Sequence, residues 1–169
     1  MSALRASAVI SLLIVCASAC ADPAEDEPRL AADEASFPVM LDGLQASCAT
    51  LDCHGRVERN LRLWSSVGLR ADAGDVPGSG ETTAEEYARS YRSVIGLQPE
   101  RTAEVVADWG QGPERLTLVR KARGTELHEG GAMAPAGSAA DRCLVSWLAS
   151  AVDAQACADA AASMEAPPP

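Results

Sequence analysis

The cysteines constrain the fold of this chain most, because large apolar side chains are scarce. The 169 residues contain six cysteines but only one Phe, two Tyr and three Trp. A small domain with few aromatic side chains has little apolar surface to bury, and disulfides or a bound cofactor can supply the missing stability. The sequence therefore predicts a domain whose folding depends on covalent use of its cysteines.

The N-terminus has the pattern of an export signal. Arg5 precedes an apolar stretch over residues 6–17, and small residues follow up to Cys20. This is the order of a secretory signal, and the stretch is shorter than the roughly 20 residues of a membrane-spanning helix. We therefore expect residues 1–19 to be a signal peptide that is removed on export. A short anchor that is never cleaved is the alternative.

The segment Ala17-Ser18-Ala19-Cys20 resembles the bacterial lipobox, in which the cysteine thiol is acylated and becomes the mature N-terminus. The resemblance implies a lipoprotein with a membrane anchor at Cys20, where each buried methylene of the acyl chains contributes about 0.8 kcal/mol. The lipobox prefers Leu at the position of Ala17, so cleavage that releases an unanchored protein is the alternative. Asp22 is near, but not at, the position usually associated with inner-membrane retention, which favours the outer membrane.

Charge and composition divide the rest of the chain. The formal net charge of -10 argues against nucleic acid as a partner, because nucleic-acid binding needs a basic surface. Acidic residues, prolines and alanines over residues 20–36 predict a solvated tether behind the lipid. A folded domain is predicted over 37–158, and a flexible Ala/Pro-rich tail over 159–169.

Apolar periodicity predicts that this domain is mostly α. Residues 37–48 place their apolar side chains on one helical face. Caps or prolines indicate helix starts at Ser36, Thr83, Pro113 and Ser138. Strand signals are weak throughout, and residues 59–70 are ambiguous in type.

The pattern Cys48-Ala-Thr-Leu-Asp-Cys53-His54-Gly55 is the main candidate for chemistry. In c-type cytochromes two thiols bind the haem vinyl groups and the adjacent His becomes the proximal iron ligand, usually within C-x-x-C-H. The spacer here has four residues, a rarer variant found in some multihaem cytochromes. Four arginines that follow the motif suit haem propionates, an acidic partner or a solvated face: Arg56, Arg59, Arg62 and Arg70.

Over residues 37–152 the chain resembles a bacterial envelope subclass of cytochrome c domains with a class I cytochrome c-like helical fold and long loops. The motifs that carry the resemblance are His128-Glu129-Gly130-Gly131, Gly137-Ser138 and Trp147-Leu148. The resemblance implies that Cys48 and Cys53 attach haem c and that His54 is the proximal ligand. It implies Met133 as the distal ligand, with His128 as the next candidate and an open sixth position as a third.

Other uses of the same residues compete with haem. Cys48 and Cys53 could form a local disulfide, and together with His54 and His128 they have the ligand types of a zinc site. Cys143 and Cys157 suggest a second disulfide that closes a loop of about 15 residues, which contributes roughly 3 kcal/mol. A pairing of either with Cys48 or Cys53 would exclude haem attachment.

The sequence thus predicts an electron-transfer lipoprotein of the cell envelope, facing the periplasm, with one covalent haem. Its partners would be redox proteins of the envelope and, through the lipid, the membrane. No enzymatic activity is predicted. The alternative is a haem-free binding or structural lipoprotein of the same helical fold, with a Cys48–Cys53 disulfide.

Overall fold

The computed structural model describes residues 31–165, and in them the chain forms helices and loops. The helices, in chain order, are α1 (Phe37–Cys48), α2 (Ala84–Ile95), α3 (Pro99–Ala107), α4 (Thr117–Arg123), α5 (Ala139–Leu148) and α6 (Ala154–Glu165), with a 3-10 turn over Pro113–Arg115 before α4. The only β-type pairing in this part of the chain is an isolated bridge between Trp64 and Leu69. The predicted mostly α fold is therefore confirmed for the described residues.

Several predictions fall outside these residues. The signal peptide, Cys20, most of the tether and the end of the tail all lie outside the described range of 31–165. Within that range no helix is both long enough and apolar enough to cross a membrane.

Helices α2 and α5 start where their caps predicted, whereas Pro113 opens a 3-10 turn and α4 begins at Thr117. Thr83 and Glu86 form the predicted capping box at α2, and the Ser138 hydroxyl accepts from the Asp141 N–H at α5. At α1, however, the Ser36 side chain makes no capping hydrogen bond. The Asp33 carboxylate instead fixes the turn just before the helix, since it accepts from the Ser36 N–H at 2.8 Å.

The ambiguous residues 59–70 form neither a helix nor a regular strand. Two serines of α2 provide partners for this backbone: the Trp64 N–H donates to Ser90 Oγ at 2.7 Å, and the Arg62 N–H donates to Ser93 Oγ at 3.0 Å. Because backbone polar groups need partners, these side chains let the segment lie extended along α2 without a sheet.

The core lies where α1, α2 and α5 meet around Trp147. This side chain is fully buried, and its ring makes edge-to-face contacts with Phe37 at 5.4 Å and Tyr91 at 6.4 Å between centroids. The indole N–H donates to the Asp33 carbonyl at 2.8 Å. Aromatic residues are few, but three of them meet in one cluster that fixes these helices to one another.

The folded region extends beyond both predicted boundaries. The tether was expected to reach residue 36, but Ala32 is buried and its carbonyl accepts from the Tyr91 hydroxyl at 2.9 Å. The tail was expected from residue 159, but α6 continues to Glu165 and buries Ala160. The alanine-rich composition was interpreted as loose chain, whereas small side chains also let a helix approach its neighbours closely.

A buried ion pair fastens the loop before α2. The Glu86 carboxylate has no solvent exposure and accepts from Arg70 Nε at 2.7 Å and from the Thr83 N–H at 2.8 Å. Burial disfavours its charge, but hydrogen bonds from Arg70, Thr83 and Ala71 outweigh burial and lower the pKa of Glu86. Arg70, one of the four arginines after the cysteine motif, is therefore a structural residue.

This pair predicts a loss of stability in acid. A carboxyl with a lowered pKa in the folded state stabilises the fold fully above its unfolded pKa, and this contribution is lost as pH falls through the folded pKa. We expect the free energy of unfolding to decline below about pH 4.5, and Glu86→Gln to reduce that dependence. Urea denaturation at several pH values measures both. The exposed Glu58→Gln variant is the control, and an equal effect of the two variants would contradict the prediction.

Candidate functional site

The two cysteines of the motif lie on one tight turn at the end of α1. The His54 N–H donates to the Cys48 carbonyl at 2.9 Å, and the N–H groups of Cys53 and Gly55 both donate to the Thr50 carbonyl at 2.9 Å. These bonds close the turn despite its four-residue spacer. The longer spacer therefore folds into a compact loop that leads directly from one thiol to the other and then to the histidine.

Both thiols of this turn are half-buried and unpaired. Burial raises the pKa of the Cys48 thiol, the hydroxyl of Ser47 opposes that effect, and the neighbouring Cys53 adds to it. The alternative Cys48–Cys53 disulfide is not formed in this structure. Cys143 and Cys157, by contrast, are joined in the expected disulfide.

Two glycines allow the turn to close. A Cβ atom on Gly55 would collide with the Ala49 carbonyl oxygen and would lie 2.8 Å from the Thr50 carbonyl oxygen. A Cβ on Gly68 would collide with the same Ala49 oxygen and would lie 2.9 Å from the Cα of Gly55. The obstacles are backbone atoms, so they cannot move aside without opening the turn.

Gly55→Ala should therefore disturb the site selectively. We expect it to lower the free energy of unfolding by about 1–3 kcal/mol, the usual cost of an extra group in a close-packed place. Urea denaturation measures the change. Gly74→Ala is the matched control, because its nearest neighbour is the Asp72 carboxylate oxygen at 3.2 Å in an exposed loop. Equal stability of the two variants would show that the turn is not tightly packed.

His54 is half-buried and held in one orientation. Its Nδ1 lies 3.1 Å from the Leu61 carbonyl oxygen. A carbonyl only accepts, so Nδ1 carries the proton and Nε2 is left with its lone pair. Burial lowers the pKa of His54, the charges of His128 and Arg59 act in the same direction, and the Leu61 hydrogen bond opposes them.

His128 comes from the loop between α4 and α5 and lies against His54. The two imidazole rings are nearly parallel, with 7° between their planes and 5.8 Å between their centroids. The Nδ1 of His128 lies 3.2 Å from the Gly131 carbonyl oxygen, so this ring is also held by Nδ1. The only two histidines of the chain, 74 positions apart in sequence, therefore meet beside the cysteine turn.

Arg59 joins the two loops that carry these histidines. Its guanidinium donates to the Cys53 carbonyl at 3.1 Å and to the Asp52 carbonyl at 3.4 Å. A third bond, at 3.1 Å, reaches the carboxylate of Glu129, the residue after His128. Sequence reasoning grouped Arg59 with three other arginines and missed this role, which no local pattern reveals.

Met133, the first candidate for the distal ligand, lies in the same loop as His128. It is half-buried, and the loop is fixed next to it by the Ala134 N–H, which donates to the Ala122 carbonyl at 2.8 Å. The aromatic contact of His54, however, is with the ring of His128. The structure thus places His128 against His54 at the cysteine turn, with Met133 on the same loop as His128.

The predicted zinc alternative finds no support. Within residues 31–165, no three or more His, Cys, Asp or Glu side chains form a group that could hold a metal ion. A zinc site needs three or four such ligands around one centre. A haem needs fewer from the chain, because the porphyrin itself supplies four nitrogens.

Comparisons with protein-family profiles, with curated proteins and with solved structures give no significant match. The function therefore has to be inferred from the site.

Proposed function

We propose that this chain is an electron-transfer lipoprotein of the cell envelope that carries one covalent c-type haem. Cys48 and Cys53 would attach the haem, and His54 would bind its iron. The observation that carries the proposal is the juxtaposition of two unpaired thiols, on one closed turn, with a histidine whose Nδ1 is anchored. This is the donor set that covalent haem attachment requires.

The orientation of His54 fits a metal ligand. Histidines that bind metals usually donate their second ring N–H to a carboxylate, a backbone carbonyl or water, which fixes the ring and its tautomer. The Leu61 carbonyl supplies this partner at 3.1 Å. The remaining nitrogen, Nε2, is then unprotonated and free to coordinate.

The surroundings of the turn also suit a porphyrin. Three large apolar side chains next to the site residues in sequence are exposed: Leu51 at 49% and Val57 at 56% beside the cysteine motif, and Leu127 at 93% beside His128. Leu51 lies between the two cysteines, and Leu127 precedes His128. Exposed apolar groups are normal when scattered, but three around a candidate site would gain stability by covering an apolar ring system.

The haem would supply the redox chemistry, since its iron exchanges one electron between two oxidation states. The residues of the chain would hold the haem in a fixed position and limit the access of water to it. The closed cysteine turn, the Leu61 anchor and the Arg59 bonds provide the rigid frame. A rigid site changes little between oxidation states, which favours fast electron exchange over substrate chemistry.

The finer fold assignment belongs to this proposal. A class I cytochrome c-like domain has its first helix packed against its last helices, and here α1 contacts both α5 and α6. Gly43 allows this approach, since a Cβ there would lie 2.9 Å from the Cys157 carbonyl oxygen. Export and lipid attachment at Cys20 would place the domain in the periplasm, where its partners would be other redox proteins.

Expression tests the proposal. The full chain should be produced in an exporting host with c-type maturation enzymes, and its visible spectrum recorded under dithionite. We expect sharp haem bands that survive acid-acetone extraction. A colourless protein in which all thiols are oxidised would contradict the proposal and favour the haem-free alternative.

Cysteine variants sharpen this test. Cys48→Ala with Cys53→Ala should abolish covalent haem. Each single variant should leave one thioether and shift the reduced bands. Gln155→Ala is the control, because the exposed Gln155 side chain donates to Asp159 on α6, away from the cysteine turn. Equal haem loading in the double variant and the control would show that the haem is not attached through this turn.

A further inference from the structure

We infer that His128, rather than Met133, provides the sixth iron ligand, so that the iron is held between two histidines. This inference rests on the proposed haem attachment and goes beyond it, because it fixes what the iron can bind. The parallel ring pair of His54 and His128 carries it.

The spacing of the rings suits one metal ion between them. Imidazole nitrogens bind first-row metals at about 2 Å, and two imidazoles on opposite sides of an ion therefore have ring centres roughly 6 Å apart. The observed separation is 5.8 Å. The planes differ by 7°, so the two rings are already in a mutual orientation that two opposite ligands can adopt.

Both rings present the same nitrogen for coordination. Each Nδ1 is bonded to a backbone carbonyl, of Leu61 for His54 and of Gly131 for His128. Among the described residues neither Nε2 has a hydrogen-bond partner. The lone pairs of both Nε2 atoms are therefore available to one shared metal ion.

The loop that carries His128 is held in place by hydrogen bonds within the chain. Its ends are tied by the Ala134 N–H to Ala122 and by Lys121 to the Leu127 carbonyl at 2.9 Å. Arg59 connects Glu129 to the cysteine turn. This preorganisation lowers the cost of bringing His128 to the iron.

Met133 lacks a comparable arrangement. A Cβ on Gly130 would lie 3.2 Å from the His128 ring and 3.7 Å from Met133 Cγ, so Met133 packs on the same loop, beside His128. The position facing the His54 ring is taken by the His128 ring. A thioether ligand would also raise the reduction potential, so the choice between the two residues has a measurable consequence.

The test compares His128→Ala with Met133→Leu in the haem-loaded full chain. We expect wild type and Met133→Leu to be low-spin in the ferric state and unable to bind CO in the ferrous state. His128→Ala should become high-spin and bind CO stoichiometrically. Added imidazole should restore the low-spin spectrum of His128→Ala, and His128→Met should raise the reduction potential.

Each contrary outcome has a distinct meaning. Loss of the low-spin signal in Met133→Leu, with retention in His128→Ala, would overturn the inference and leave the proposed function standing. A high-spin wild type would also overturn it. Absence of covalent haem in the wild type would defeat the proposed function itself. If His128→Ala does not accumulate, NMR of the reduced wild type tests the inference instead. A methyl group of an iron-bound Met would be shifted far upfield, and such a signal would overturn the assignment of His128.

Discussion

Trp147→Ala should remove about 3–5 kcal/mol from the free energy of unfolding, the usual cost of truncating a buried Trp. The side chain is fully buried, and its removal leaves a cavity beside Phe37 and Tyr91. It also leaves the Asp33 carbonyl without its donor at 2.8 Å. Since small domains have only about 5–15 kcal/mol in total, the variant should be close to unfolding at room temperature.

Urea denaturation followed by circular dichroism measures this effect. Trp109→Ala is the matched control, because Trp109 is 75% exposed and its loss should change stability by no more than about 0.5 kcal/mol. Trp147→Phe separates the two contributions, since it keeps most of the ring and removes the N–H. Similar midpoints for Trp147→Ala and Trp109→Ala would show that the aromatic cluster does not organise the core.

Removal of the Cys143–Cys157 disulfide should cost about 3 kcal/mol in the chain-entropy model, given a sequence separation of 14. The disulfide joins α5 to α6. Helix α6 is rich in alanine, and its small side chains bury little apolar surface each. We therefore expect Cys143→Ala with Cys157→Ala to release α6 from α1 before the rest of the domain unfolds.

Hydrogen exchange distinguishes local release from general destabilisation. The amides of α6 should lose protection in the double variant, while those of α2 should keep most of theirs. Reductant provides the control: it should weaken the wild type and leave the double variant unchanged. Full protection of α6 in the double variant would mean that packing alone holds this helix.

Local patterns predicted the helix starts that depend on residues close together in sequence. The capping box of α2 and the serine at the start of α5 depend on residues three positions apart, so sequence reveals them directly. At α1, Ser36 is the N-cap residue as predicted, but its side chain makes no capping hydrogen bond. Alanine-rich α6 was interpreted as loose chain, because composition does not show that a helix has a partner to pack against.

Some residues of the candidate site were likewise predictable from the sequence, and others were not. The thiols and His54 are adjacent in sequence, so their grouping was predictable. The contact of His128 with His54 was not predictable, since nothing in its own loop shows which side chain lies against His54. The sequence did not distinguish Arg59 from three similar arginines, because its role depends on three hydrogen bonds to the two loops.

The sequence by itself determined the mostly α class and the grouping of the two motif thiols with His54, and it suggested the Cys143–Cys157 disulfide beside rival pairings. These follow from periodicity, spacing and the scarcity of large apolar residues. Only the tertiary structure decided that residues 31–36 and α6 belong to the fold, and that the two histidine rings lie parallel. Those features depend on contacts between residues far apart in the chain, where the packing of whole elements selects the partner.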